Sequence, residues 1–213
     1  MTVITIGIDL AKNLFQIHGV DENGKCKLKK RIKRSQMSTF FVNMSPCIIG
    51  MEACAGSHYW ARILTAQGHN VKLMPPQFVK PYVKTNKNDM ADAEAICEAV
   101  TRPNMRFVSI KTAEQQSLLS IYRARSGFVK ARTAQINQIR GLLTEFGIVL
   151  PQGSVAINRH VPELLEDADN TLTMPFRRLL SSLYENVKQL SEHIETLEAA
   201  LNEQFRQDAL CKK

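Results

Sequence analysis

Apolar residues in the first hundred positions come in short runs, while in the last hundred they recur every three or four. The first texture predicts strands and the second predicts amphipathic helices. Strands are expected at residues 3–8, 14–20, 27–33, 47–51 and 70–73. The second and third are joined by DENGK, whose Asn23-Gly24 pair is a strong hairpin signal. Short helices are expected at 38–43 and at 58–67, the latter stopped by Gly68. Three strands in a meander, followed by alternating helices and strands, predict a mixed sheet with helices on its faces.

Beyond a further extended stretch at 106–110 the chain turns helical. Leu118, Tyr122, Arg125, Val129, Arg132, Ile136, Ile139, Leu143 and Phe146 keep a four-three spacing with no intervening proline. Two arginines stand on that stripe, so it is either interrupted or turned toward something anionic. Leu180, Leu183, Val187, Leu190, Ile194, Leu197 and Leu201 form a cleaner stripe. A coiled-coil arm is expected there, packed on the first long helix or on a second copy of the protein. The organisation expected is a domain over 1–110, a long basic helix over 111–150, a linker of little regular structure over 151–173, and a coiled-coil helix over 174–210.

Charge sharpens this division. Residues 1–150 hold 21 Lys and Arg against 10 Asp and Glu, a balance of +11, whereas residues 151–213 balance at −3. A basic first part points to a polyanionic partner. No apolar run reaches the roughly 18–20 residues of a membrane span, and the N-terminus lacks a signal-peptide pattern. No membrane partner and a cytosolic location are therefore expected. The five cysteines, Cys26, Cys47, Cys54, Cys97 and Cys211, show no zinc spacing. Cys47 and Cys97 lie in apolar contexts and are expected to be buried free thiols.

Four carboxylates carry the candidate chemistry. Asp9 ends an apolar strand in ITIGIDLAKN, where Gly7 permits close approach of another backbone. A terminal aspartate commonly starts a turn, but a lone carboxylate on a central strand is costly unless paired or metal-bound. Glu52 ends a second apolar strand in CIIGMEACAGSHYW, and glutamate is a poor turn former. Asp89 and Asp92, in KNDMADAEAI, share one face of an expected first helical turn. They are either capping and dipole residues or half of a metal site. Together the four oxygen donors suit two hard divalent cations such as Mg²⁺, with Mn²⁺ as a substitute. A pair of such ions activates the attacking oxygen and stabilises the leaving oxygen of a phosphodiester.

The blocks IGIDLAKN, GMEACAGSHYW and KNDMADAEAI, in this order and separation, resemble the signature blocks of the insertion-sequence 110 family of DEDD transposases, relatives of the Piv DNA invertase. The resemblance implies an α/β, ribonuclease H-like (RuvC-like) mixed sheet with flanking helices, followed by a long helical coiled-coil extension. It implies that Asp9, Glu52, Asp89 and Asp92 are the catalytic, Mg²⁺-binding tetrad of a DNA transposase that cleaves and transfers strands. It also implies DNA, a guide RNA of the same element and a homo-oligomer as partners. Family members carry a C-terminal domain with a nucleophilic serine, and that domain is expected to be absent from this chain. Two other readings follow from that: a nucleic-acid-binding, dimerising remnant, or a resolvase-like nuclease acting on branched DNA.

Candidate phosphate contacts are Lys29, Lys30, Arg31, Lys33 and Arg34 on the basic third strand, and Arg123, Arg125, Lys130, Arg132 and Arg140 on the first long helix. A lysine-protected edge strand would read the same way for the first group.

Overall fold

Short β-branched runs make the sheet, and glycines decide what can lie on it. In the computed structural model, which describes residues 2–83 and 89–207 (without the side chains of Asp89 and Gln207), five strands form one sheet. They are β1 (Thr5–Asp9), β2 (Leu14–Val20), β3 (Cys26–Lys33), β4 (Ile48–Glu52) and β5 (Asn70–Met74), in the order β3-β2-β1-β4-β5. β1, β2 and β3 are antiparallel neighbours, and β4 and β5 continue from β1 in parallel. The expected mixed sheet is thus present. Gly24, at φ 72°, takes the left-handed conformation of the β2–β3 turn, and Asp21 Oδ1 accepts from the Asn23 and Lys25 amides at 3.0 and 2.9 Å.

One face of the sheet is closed by α1 (Met37–Val42) and α2 (Ser57–Ala66). Ile6, Ile8, Phe15, Ile17, Phe41 and Leu64 are fully buried there, each worth about 1.5–3 kcal/mol of burial. The turn α3 (Pro76–Val79) and the helix α4 (Asp89–Ala99) carry a second cluster of Val79, Ala95, Ile96 and Ala99 with Met74. The extended stretch expected at 106–110 contributes a single bridge, Val108 to Leu73. Cys47 and Cys97 are buried and free as expected, and burial pushes their thiols up to about 11 and about 12. Cys211 lies outside the described residues.

Residues Met1–Thr112 form one unit and Ala113–Lys213 a second. In the second, α5 (Ala113–Thr144) and α7 (Met174–Gln207) pack side by side. Their contacts run antiparallel: Arg125 meets Glu198, Phe128 meets His193, Arg132 meets Ser191 and Asn186 meets Gln135. The α7 stripe is therefore covered within the chain, with Leu180, Val187 and Ile194 buried. No described helix is long and apolar enough to cross a membrane.

The segment 151–173 departs from its expectation. In place of an irregular linker the chain forms α6 (Ser154–Glu166), with Pro162 inside it. Proline removes an amide that would bond the carbonyl four residues back. That carbonyl, of Asn158, instead accepts from the Tyr184 hydroxyl of α7, at a long 3.5 Å. Ile157 and Val161 are fully buried against α5 and α7, so tertiary burial outweighs the local cost.

Candidate active site

The site is built by the close approach of α4 to β1. A Cβ placed on Gly7 would lie 2.2 Å from the Ala93 carbonyl oxygen and 2.3 Å from the Cys97 nitrogen. On β4, in register with Gly7, a Cβ on Gly50 would lie 2.8 Å from the Val100 side chain. The Cys97 thiol reaches the Thr5 carbonyl at 3.6 Å. Going back along α4 from Cys97 to Ala93 therefore follows β1 from Thr5 toward Asp9, and the helix begins at the strand's carboxyl end.

Strand alternation then orients the carboxylates. Asp9 lies two residues beyond Gly7 and Glu52 two beyond Gly50, so both belong to the face that α4 covers. They end neighbouring parallel strands, whose backbones are about 4.8 Å apart. Asp92 comes down from the first turn of α4. Glu52 registers this convergence: burial first, then the negative charges of Asp9 and Asp92, raise its carboxyl pKa above the ordinary 4.5. Cys54 is solvent-exposed at the rim, yet enough protein surrounds its sulfur that desolvation leads, followed by Glu52 and Asp9, in raising its thiol pKa.

Among the described residues, no three His, Cys, Asp or Glu stand close enough together to hold an ion. Charge acts over a longer range than ligation, which is why Asp9 and Asp92 still bear on Glu52. The backbone of Asp89 starts α4, but its side chain lies outside the described residues. The donor chemistry of the three described carboxylates, oxygens carrying mutual repulsion, fits a hard divalent cation.

The basic residues of β3 divide by face. Register places Asp9, Gln16 and Arg31 in one row across β1, β2 and β3. Lys29, Arg31 and Lys33 share the face of the carboxylates, and the buried Gln16 amide oxygen, in its satisfied orientation, accepts from Arg31 Nε at 2.9 Å. Lys30 lies on the opposite face, 5.0 Å above the Phe40 ring. Arg34 stacks its guanidinium on Trp60 and Phe15, 5.4 and 5.9 Å from their centroids. The row through Gln16 could not be found from sequence, because glutamine in an apolar strand has no motif.

On α5, Arg123 and Lys130 are exposed. The two stripe arginines and Arg140 meet partners inside the chain. Arg125 Nε donates to Glu198 at 2.9 Å, Arg132 Nη1 to Ser191 at 3.3 Å and Arg140 Nε to the Leu150 carbonyl at 3.2 Å. The anion that the stripe turns toward is thus a glutamate of α7, 73 residues away, for Arg125.

A family model described as "Transposase", that of the IS110-type DEDD proteins, matches residues 6–148. The chain belongs to that family. Three curated IS110-type relatives agree over almost all of it. One from Pseudomonas aeruginosa, named "Probable family 20 transposase", is 45% identical over 210 residues, 98% of this chain and 62% of its own. The transposase for insertion sequence element IS1328 of Yersinia enterocolitica is 43% identical over 99% of this chain and 62% of its own. That for IS1111A of Coxiella burnetii is 39% identical over 98% and 57%. The chain thus spans about three-fifths of the length of these DEDD transposases. Among solved structures, T. thermophilus RuvC in complex with Holliday junction substrate is similar over 51% of this chain and 100% of its own, at 11% identity and a TM-score of 0.37, a likeness too distant to carry an argument.

Proposed function

We propose that this chain is the carboxylate-bearing part of a DNA transposase, acting on DNA phosphodiesters within a RuvC-like, ribonuclease H-like domain. The observation that carries the reading is that Asp9 and Glu52 end neighbouring parallel strands on the face that α4 covers, with Asp92 in that helix's first turn. Asp9, Glu52, Asp89 and Asp92 would hold the divalent ions, Mg²⁺ or Mn²⁺. When bound, such ions lower the pKa of an attacking oxygen and stabilise the leaving one. The protein's own contribution is placement: Gly7 and Gly50 let α4 descend until its first turn meets the two strand ends. Lys29, Arg31 and Lys33 extend a basic face from the sheet edge toward the carboxylates, suited to phosphate contacts. Arg123 and Lys130 on α5, both exposed, are further candidates.

The family membership supports DNA as substrate, with a guide RNA of the same element and further copies of the chain as partners. The long helix α7 would carry that assembly as a coiled coil, in exchange for the cover that α5 gives its apolar stripe within the chain. The test is nicking of a branched DNA in Mg²⁺ by wild-type protein and by Asp92→Asn and Glu52→Gln. Cleavage that both variants retain in full would remove the carboxylates from the reaction.

A further inference from the structure

Both strands that end in the proposed catalytic carboxylates lead directly into the walls of one cleft. Leu10 to Asn13, following Asp9, form one side, and Cys54 to Gly56, following Glu52, form the other; Arg34 closes it. The cleft is open and has a volume of about 660 Å³. Its charged lining consists of two cations, Lys12 and Arg34, and no acidic residue.

Arg31, on the same sheet, is by contrast bonded to Gln16. Lys12 is exposed and forms no ion pair among the described residues, and the same is true of Arg34. Arg34 is nevertheless held in place. Its amide donates to the Asn13 carbonyl at 2.9 Å, its guanidinium lies over Trp60 and Phe15, and Trp60 is only 5% exposed. A stacked guanidinium keeps its N–H edge free to donate in the ring plane, and it loses little freedom on binding an anion.

We propose that this cleft seats a backbone phosphate of the nucleic-acid strand being processed, with Lys12 and Arg34 as positioning residues that hold the strand beside Asp9 and Glu52. The inference rests on the reading of the site as one that acts on phosphodiesters. Four carboxylates repel a polyanion, so Lys12, in the loop that leaves β1, and Arg34, at the end of β3, set the strand's register against the site. A single fixed phosphate suffices for that, and it carries no base preference.

The test measures binding of a labelled single-stranded DNA, and of RNA of the same sequence, by fluorescence anisotropy across a salt series in Ca²⁺. Arg34→Ala and Lys12→Ala should each weaken DNA binding about five- to twentyfold and flatten the dependence of log K on log salt by about 0.7, the share of one single-strand phosphate. Arg34→Lys, which keeps charge but loses the stack, should fall between. One neutral methylphosphonate linkage in the DNA should weaken the wild type and leave Arg34→Ala indifferent, a result that general loosening of the fold does not produce. Equal losses with DNA and RNA assign the cleft to the shared phosphodiester; a loss with DNA alone assigns it to the strand that is cut. Should Arg34→Ala fail to fold, Lys12→Ala carries the test, because its exposed side chain supports no packing. Unchanged affinity and salt slope in both variants, with nicking still dependent on Asp92, would overturn the cleft and leave the carboxylate site standing. If the wild type neither binds nor nicks, both readings fall together.

Discussion

The backbone of Cys97 lies directly on Gly7: a Cβ at position 7 would stand 2.3 Å from the Cys97 nitrogen and 2.8 Å from its Cα. Those atoms belong to a helix that cannot retreat without opening the cluster around Ile96 and Ala99. Gly7→Ala should therefore destabilise the protein by about 3 kcal/mol or more, at or beyond the upper end of overpacking costs. The comparison is Gly127→Ala in α5, where nothing lies within 4 Å and the helix gains about 1 kcal/mol. Urea melts of the two variants should move in opposite directions.

The raised pKa of Glu52 makes a pH prediction with a definite sign. Its folded state holds the proton more tightly than the unfolded chain, so its stabilising contribution is present below about 4.5 and is lost as pH rises through the raised value. In metal-free buffer Glu52→Gln should melt close to wild type at the acid end and above it at neutral pH. A gap of the opposite sign would show that burial and the neighbouring charges do not hold this carboxyl above its ordinary range.

Divalent cations should reverse that order. Mg²⁺ bound only by the folded carboxylates raises stability by about 2.7 kcal/mol at a hundred times its dissociation constant. Wild-type protein should show a melting shift in Mg²⁺ that Glu52→Gln and Asp92→Asn largely lose. Calorimetric titration at the same pH checks the shift without relying on cleavage.

A buried histidine ties the two ends of the α1–β4 connection together. His69, 3% exposed, accepts from the Cys47 amide through Nδ1 at 3.3 Å and faces the Phe41 carbonyl with Nε2 at 3.1 Å. Neutral imidazole with its proton on Nε2 satisfies both. His69→Ala strands the buried Cys47 amide, whereas the Phe41 carbonyl still accepts from the Met44 amide at 3.0 Å, so a loss of about 1–3 kcal/mol is expected in chemical denaturation. The candidate active site should keep its Mg²⁺ response wherever the variant remains folded.

In the second unit, Arg125 and Glu198 are both partly exposed, which limits their ion pair. A double-mutant cycle with Arg125→Ala and Glu198→Ala should give a coupling of about 0.5–1 kcal/mol. DNA binding by Arg125→Ala should stay near wild type, in contrast to Arg123→Ala on the exposed face of the same helix.

The sequence by itself determined the features that local patterns control. The strand runs and the Asn23-Gly24 turn predict β1 to β3, and Gly7 is readable as a point of close approach, because backbone preference and side-chain period act over a few residues. Asp9 and Glu52 end β1 and β4, where the apolar runs place them. Tertiary structure decided what depends on partners distant in sequence. It places α4 on the face shared by Gly7, Gly50, Asp9 and Glu52, sets Gln16 and Arg31 in the row of Asp9, and gives Arg125 a glutamate from α7. It also keeps α6 helical through Pro162, because burial of Ile157 and Val161 and the Tyr184 hydroxyl offset a local cost that the segment's own residues could not.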